Sequence, residues 1–268
     1  MSDNIDNIDK CMSQKEKNDY LKKLNDEYYH YPQSELDYMN SPDIKICDGL
    51  KLKKIKVMDG KTVKSLIDLM KKTVKFLDDH NITYWLDSGT LLGACRNGKF
   101  IPWDDDVDLA IPYDSYIKIK EVIRTYPKVY DNNFKYRISD KYGIKFTEFV
   151  GEKKFNIDND KPCLLKTLHL DGSIDKDVFV DLMNYFPVEN KEYISNYIGW
   201  KNRFVYPFDT IYPLKKIIFE GTDYWSVNKP EIFLNKAYIF WNELAVADHA
   251  HFKYLRQDRS KKIYFTLK

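Results

Sequence analysis

The sequence predicts an α/β protein of the mixed α+β kind: a small mixed sheet carries a group of carboxylates, helices flank it, and a helical lobe follows at the C-terminal end. Three observations lead there. A helical period runs over 62–80, a strand–turn–helix–loop–strand pattern fills 82–111, and short alternating segments follow at 134–138, 144–150 and 177–183. In the first, Val63, Leu66, Ile67, Met70, Val74 and Leu77 recur on one face, with Thr62 as candidate cap. In the second, ITYWLD (82–87) reads as strand, Ser88-Gly89-Thr90 as the turn out of it, and Leu91-Leu92-Gly93-Ala94 as a short helix. NGKFIPW (97–103) reads as loop and VDLAI (107–111) as strand, and helix 114–124 follows with Asp114 as candidate cap. In DVFVDLM (177–183), Val178, Val180 and Leu182 share one face while Phe179 and Asp181 share the other. Residues 1–20 are polar and expected to fray, and 230–244 is expected to be helical. The chain divides into an N-terminal extension (1–60), a core (61–190) and a mainly helical lobe (191–268).

Composition narrows the function. Of the 268 residues, 43% are apolar, enough for a real core. Basic and acidic side chains number 43 and 41, a balance without the concentrated basic face that nucleic acid requires. No apolar stretch is long enough to span a membrane and the first ten residues hold no apolar signal core, so the expectation is a soluble cytoplasmic protein. Cys11, Cys47, Cys95 and Cys163 are scattered with no CxxC pair, which points to free thiols in a reducing compartment. His249, His251, and Cys163 with His169 lack the spacing of zinc ligands. The wealth of Lys, Asn, Ile, Tyr and Phe suits an AT-rich coding source, microbial or viral.

The chemistry is concentrated in WLDSGTLLGACRNGKFIPWDDDVDLAI (85–111). Asp106 and Asp108 are two apart at the opening of a strand, so both side chains emerge on one face. Two carboxylates about 5 Å apart repel by roughly 3 kcal/mol at an effective dielectric near 20, which a bound cation relieves. All-oxygen ligation suits magnesium or manganese, and Asp181 is a candidate third carboxylate. Carboxylates gathered on strands around a metal serve phosphoryl transfer. Ser88, Gly89 and Thr90 are the candidate phosphate-binding turn, because glycine admits close approach and a helix start offers unpaired N–H groups. Arg96 and Lys99 are candidate neutralising cations. Asp104 and Asp105 read as turn caps or partners of Arg96, and Trp103 as a core aromatic.

GTLLGACRNGKFIPWDDDVDLAI resembles the signature of the LicD family, which includes fukutin and fukutin-related protein and is similar in turn to the nucleotidyltransferase superfamily. VFVDLMNYFPV (178–188) resembles the family's second acidic strand. IYPLKKIIFEG (211–221), with Val227, Pro230 and Phe233-Leu234, resembles its C-terminal segment, departing at Asn228 where a proline is expected. The resemblance spans roughly 63–240 and implies a nucleotidyltransferase-like fold. It implies transfer of a phospho-alcohol unit from a CDP-activated donor, such as CDP-choline or CDP-ribitol, to a glycan hydroxyl. It carries over Asp106, Asp108 and Asp181 as metal-binding and catalytic carboxylates and Gly89-Thr90 as the phosphate-side turn. An NTP-dependent nucleotidyltransferase shares this metal centre. A non-catalytic glycan- or nucleotide-binding protein is the alternative of another class, and the retention of all three carboxylates speaks against it.

Overall fold

The computed structural model describes residues 11–47, 57–125, 134–139, 143–148, 179–188, 193–196, 205–247 and 262–267. They belong to two compact units: Met1–Val57 with Leu234–Lys268, and Met58–Phe233.

The first unit opens with α1 (Gln14–Leu24), inside the stretch expected to fray. Ser13 caps it in a capping box with Glu16, and Leu21 and Leu24 bury its apolar face. After a π-helical turn (Asn25–Tyr29) come α2 (Gln33–Asn40) and β1 (Ile44–Cys47). Lys17 is buried, and its ammonium donates to the carbonyls of Ser41 and Ile44 at 2.7 and 2.8 Å, which satisfies the charge-bearing group. The expectation of four free thiols is corrected: Cys11 and Cys47 form a disulfide across 36 positions, a separation that no local pattern signals. Disulfides persist in oxidising compartments, so the inference of a reducing compartment loses its basis. Cys95 is free, and burial pushes its thiol up to about 12, leaving it inert. Cys163, His169, His249 and His251 lie outside the described residues.

The second unit begins with α3 (Gly60–Asp79). Its cap is Asp59, whose carboxylate accepts the Thr62 N–H at 2.8 Å; Thr62, the expected cap, sits one turn in. Leu66, Leu69, Met70, Phe76 and Leu77 are buried, each stabilising the fold by about 1.5–3 kcal/mol. Then follow β2 (Trp85–Leu86), α4 (Ser88–Asn97), β3 (Val107–Pro112) and α5 (Tyr113–Thr125), with Asp114 inside the first turn of α5. β4 (Phe134–Ser139) and β5 (Gly143–Glu148) form an antiparallel hairpin, followed by β6 (Phe179–Val188), β7 (Tyr193–Asn196) and β8 (Val205–Pro207). These strands make a mixed sheet of order β2-β3-β6-β5-β4, with β7 joining the C-terminal half of β6 and β8 joining β7. β3 and β6 are parallel neighbours and all the other pairs are antiparallel. Val107, Leu109, Val180 and Leu182 are fully buried, and α3 packs against β6 and β5 while α5 packs against β6 and β3.

After α6 (Phe208–Ile211) comes a tight hairpin, β9 (Lys215–Phe219) and β10 (Thr222–Ser226). Its two turn residues, Glu220 and Gly221, both have positive φ, as a two-residue type I′ turn requires. At Asn228, where the family pattern has a proline, the backbone N–H donates to the Ile211 carbonyl and the side chain to the Asp209 carbonyl. Proline offers no such N–H. α7 (Pro230–Ala237) carries the chain back to the first unit, where β11 (Leu244–Ala247) and β12 (Lys262–Thr266) complete a sheet of order β1-β12-β11. The helix expected over 230–244 therefore stops at Ala237, and the described part of 191–268 holds more strand than helix. Leu244, the last residue of that expected helix, instead opens β11, whose pairing with the distant β12 overrides the local helical pattern. Among the described residues no helix is long and apolar enough to cross a membrane.

α4 packs tightly on the loop that follows it. A Cβ built on Gly93 would lie 2.4 Å from the backbone carbonyl oxygen of Lys99. Gly93→Ala is therefore expected to cost about 1–3 kcal/mol of stability, because the obstacle is main chain and cannot rotate away. Urea unfolding checks this, and an unchanged midpoint would refute the close packing.

Candidate metal centre

The site forms where β3 and β6 run side by side. Asp106 stands just before β3, Asp108 on it, and Asp181 on β6 as the register partner of Asp108. One carboxylate oxygen from each of the three lies within 4.8 Å of the others. Asp108 and Asp181 are each only 9% exposed, so this negative charge is gathered largely out of water. The donor set, three carboxylates and no sulfur or imidazole, fits a hard divalent cation.

The start of α4 is clasped onto this strand. The Asp108 N–H donates to Thr90 Oγ1 at 2.9 Å, the Gly89 N–H donates to Asp108 Oδ2 at 3.3 Å, and the Asp87 N–H donates to the Asp108 carbonyl at 3.1 Å. Ser88-Gly89-Thr90 is thus the first turn of α4 itself, which begins earlier than the sequence pattern suggests. Ser88 is held at φ +42°, a strained backbone for a non-glycine residue. Thr90 is buried and its hydroxyl oxygen serves the Asp108 main chain.

Two residues that the sequence reading passed over stand behind this turn. Asp87 caps α4, accepting the Ser88 N–H at 2.8 Å, and the Tyr185 hydroxyl donates to both oxygens of its carboxylate at 3.2 and 3.1 Å. Both are buried, and Tyr185 is seated in an aromatic cluster with Trp85, Tyr206 and Phe233. Burial raises the Asp87 carboxyl to about 6 despite these two donors. An acidic residue directly before a helix start is an N-cap signal, so Asp87 was legible; Tyr185 was not.

Asp104, read as a turn cap or a partner of Arg96, packs over Gly89. Its carboxyl fills the space over Gly89, where a built Cβ would fall 2.0 Å from Asp104 Oδ2, and it is hydrogen-bonded to Asp106. Burial first, and then the charges of Asp106 and Asp105, push the Asp104 carboxyl well above the usual range. Burial again, followed by the charges of Asp106, Asp104, Asp181 and Asp87, does the same to Asp108. Asp105 is exposed, and Trp103 is buried as a core aromatic.

Arg96 lies in the last turn of α4, about 12 Å along the axis from Ser88, and exposed Lys99 follows the Gly98 cap. That end of the helix is bonded to the β9–β10 turn, through Glu220 N–H to the Gly98 carbonyl and Phe100 N–H to the Glu220 carboxylate.

An uncharacterized protein of Rickettsia prowazekii is 28% identical over 178 residues, 65% of this chain and 54% of that protein. The chain spans about half the length of this relative and of its 29%-identical counterpart in Rickettsia typhi. Shorter matches occur with human ribitol 5-phosphate transferase FKRP, 57% identical over 35 residues (13% of this chain, 7% of that one), and with the Haemophilus influenzae lipopolysaccharide cholinephosphotransferase LicD, 46% over 43 residues (16% of each). Residues 81–228, more than half of the chain and including every carboxylate of the site, match the family described as LicD/FKTN/FKRP, nucleotidyltransferase domain, and the chain belongs to that family of phosphotransferases.

Proposed function

We propose that this chain is a magnesium- or manganese-dependent transferase that moves a phospho-alcohol unit, such as phosphocholine or ribitol phosphate, from a CDP-activated donor to a glycan hydroxyl. The observation that carries this reading is the convergence of Asp106, Asp108 and Asp181 beside the Gly89 turn in a member of a phosphotransferase family. A divalent cation held by these carboxylates would supply charge neutralisation at the donor diphosphate. Asp106 and Asp108 would hold it, and Thr90 and the Gly89 N–H fix the position of Asp108. In the reaction the acceptor oxygen bonds to the phosphorus bearing the alcohol, and the bridging P–O bond breaks. CMP leaves with the electron pair, and the hydroxyl proton passes to a carboxylate, for which Asp181 is the candidate. Positioning supplies much of the rate.

Transfer of a nucleotide from an NTP is the second reading, favoured by the nucleotidyltransferase domain that the chain matches. Products separate the two: CMP for the first, pyrophosphate for the second. The test incubates the protein and magnesium with CDP-choline, CDP-ribitol, CDP-glycerol or NTPs, following melting temperature and released nucleotide. A CDP donor is expected to stabilise the metal-loaded protein, by about 2.7 kcal/mol at a hundredfold excess over Kd. No shift with any CDP or NTP ligand would overturn the assignment.

A further inference from the structure

We infer that the β4–β5 hairpin supplies the cationic half of the substrate site, placing Lys145 and Arg137 in one row with Asp108 and Asp181 to receive a phosphate group. The inference rests on the transferase reading, but its test does not depend on turnover.

The argument begins with register. Asp108 pairs with Asp181 between β3 and β6, Asp181 with Lys145 between β6 and β5, and Lys145 with Arg137 between β5 and β4. Residues paired across neighbouring strands stand on the same face of a sheet. One row therefore crosses four strands as Asp108, Asp181, Lys145, Arg137. Strands are spaced by about 4.8 Å, so Lys145 occupies a position roughly one spacing from Asp181 and Arg137 roughly two. Lys135, two residues before Arg137, falls on the same face by alternation. The other face carries Val107 and Leu109, Val180 and Leu182, Ile144 and Phe146, and Tyr136 and Ile138. FKYRIS and GIKFTE thus alternate so that Lys135, Arg137 and Lys145, the basic residues of the two strands, come to the face of the carboxylates.

Charge accounting gives the row its purpose. Phosphate bound beside three carboxylates needs cations beyond one divalent ion, and Arg96 and Lys99 lie at the other end of α4. Lysine and arginine on a rigid sheet, one and two spacings from the metal ligands, are placed to meet a phosphate that bridges away from the ion. The ligand class is a phosphate ester or anhydride. It can belong to the donor diphosphate or to an anionic acceptor.

The test uses the full chain loaded with magnesium. Binding of inorganic pyrophosphate and of CDP is measured by calorimetry for the wild type, Lys145→Gln, Arg137→Gln and the charge-conserving Arg137→Lys, with melting curves to confirm folding. Each glutamine variant is expected to weaken pyrophosphate binding about tenfold, the usual scale of one charge-assisted contact, and to flatten its salt dependence. Arg137→Lys is expected to retain most of the affinity. With a CDP-alcohol that turns over, a rise in donor KM assigns the row to the donor diphosphate, and a rise in acceptor KM alone assigns it to an anionic acceptor. Folded glutamine variants with unchanged pyrophosphate affinity and unchanged KM values would overturn the inference while leaving the transferase reading intact. Absent turnover with retained, variant-sensitive pyrophosphate binding would overturn the transferase reading alone.

Discussion

Asp108→Asn is expected to lower turnover by at least about a thousandfold, the upper range for loss of one preorganised electrostatic element, while leaving the fold intact. The asparagine oxygen still accepts the Gly89 N–H, and the Asp108 main chain keeps its bonds to Thr90 and Asp87. What disappears is a buried negative charge that four neighbouring carboxylates oppose. The metal-free variant should therefore melt higher than the wild type near neutral pH, although it has lost activity. Asp106→Asn should abolish turnover as well and should relieve the charge that Asp106 places on the Asp104 carboxyl. Activity assays paired with melting curves test both, and near-normal turnover in either variant would remove that residue from the metal site.

The second large effect is a fall in metal-free stability as pH rises. Asp87, Asp104 and Asp108 all have carboxyls raised above their ordinary range by burial and neighbouring charge. A raised carboxyl means that the folded chain holds more protons than the unfolded one, so stability declines with increasing pH. For Asp87 the window runs from 3.8 to about 6. A shift of that size corresponds to roughly 3 kcal/mol, lost by neutral pH. Asp104 and Asp108 extend the decline upward. A divalent cation should counteract their part of it, with affinity increasing with pH because binding expels their protons. Asp87→Asn should remove only the Asp87 part. Urea unfolding from pH 5 to 8, with and without magnesium, tests the slope; a metal-free stability that rises with pH across this range would contradict the carboxylate cluster.

Much of this was visible in the sequence because its causes are local. The period of 60–79 follows from which residues lie three and four apart, and the common face of Asp106 and Asp108 follows from the two-residue repeat of a strand. Alternation in FVDLM already set Asp181 opposite Val180 and Leu182. Other expectations failed where local pattern was read too narrowly. The start of α4 was put three residues late because Ser88-Gly89-Thr90 resembles a turn, although Asp87 caps it. Asp104 was taken for a turn cap or a partner of Arg96 because nothing local shows that Gly89 leaves room for its carboxyl.

The sequence by itself determined the α/β class, the strand that carries two carboxylates and the glycine beside them, since each depends on neighbours a few residues apart. Only the tertiary structure decided which strands lie next to each other. It is the parallel pairing of β3 with β6 that sets Asp181 against Asp108, 73 positions earlier, and the pairing of β5 with β6 that sets Lys145 beside Asp181. It is the pairing of β1 with β12 that joins strands from opposite ends of the sequence in one sheet. The reason is physical: side-chain periodicity is a property of one segment, whereas strand order and register are selected by the burial of whole faces, which no single segment contains.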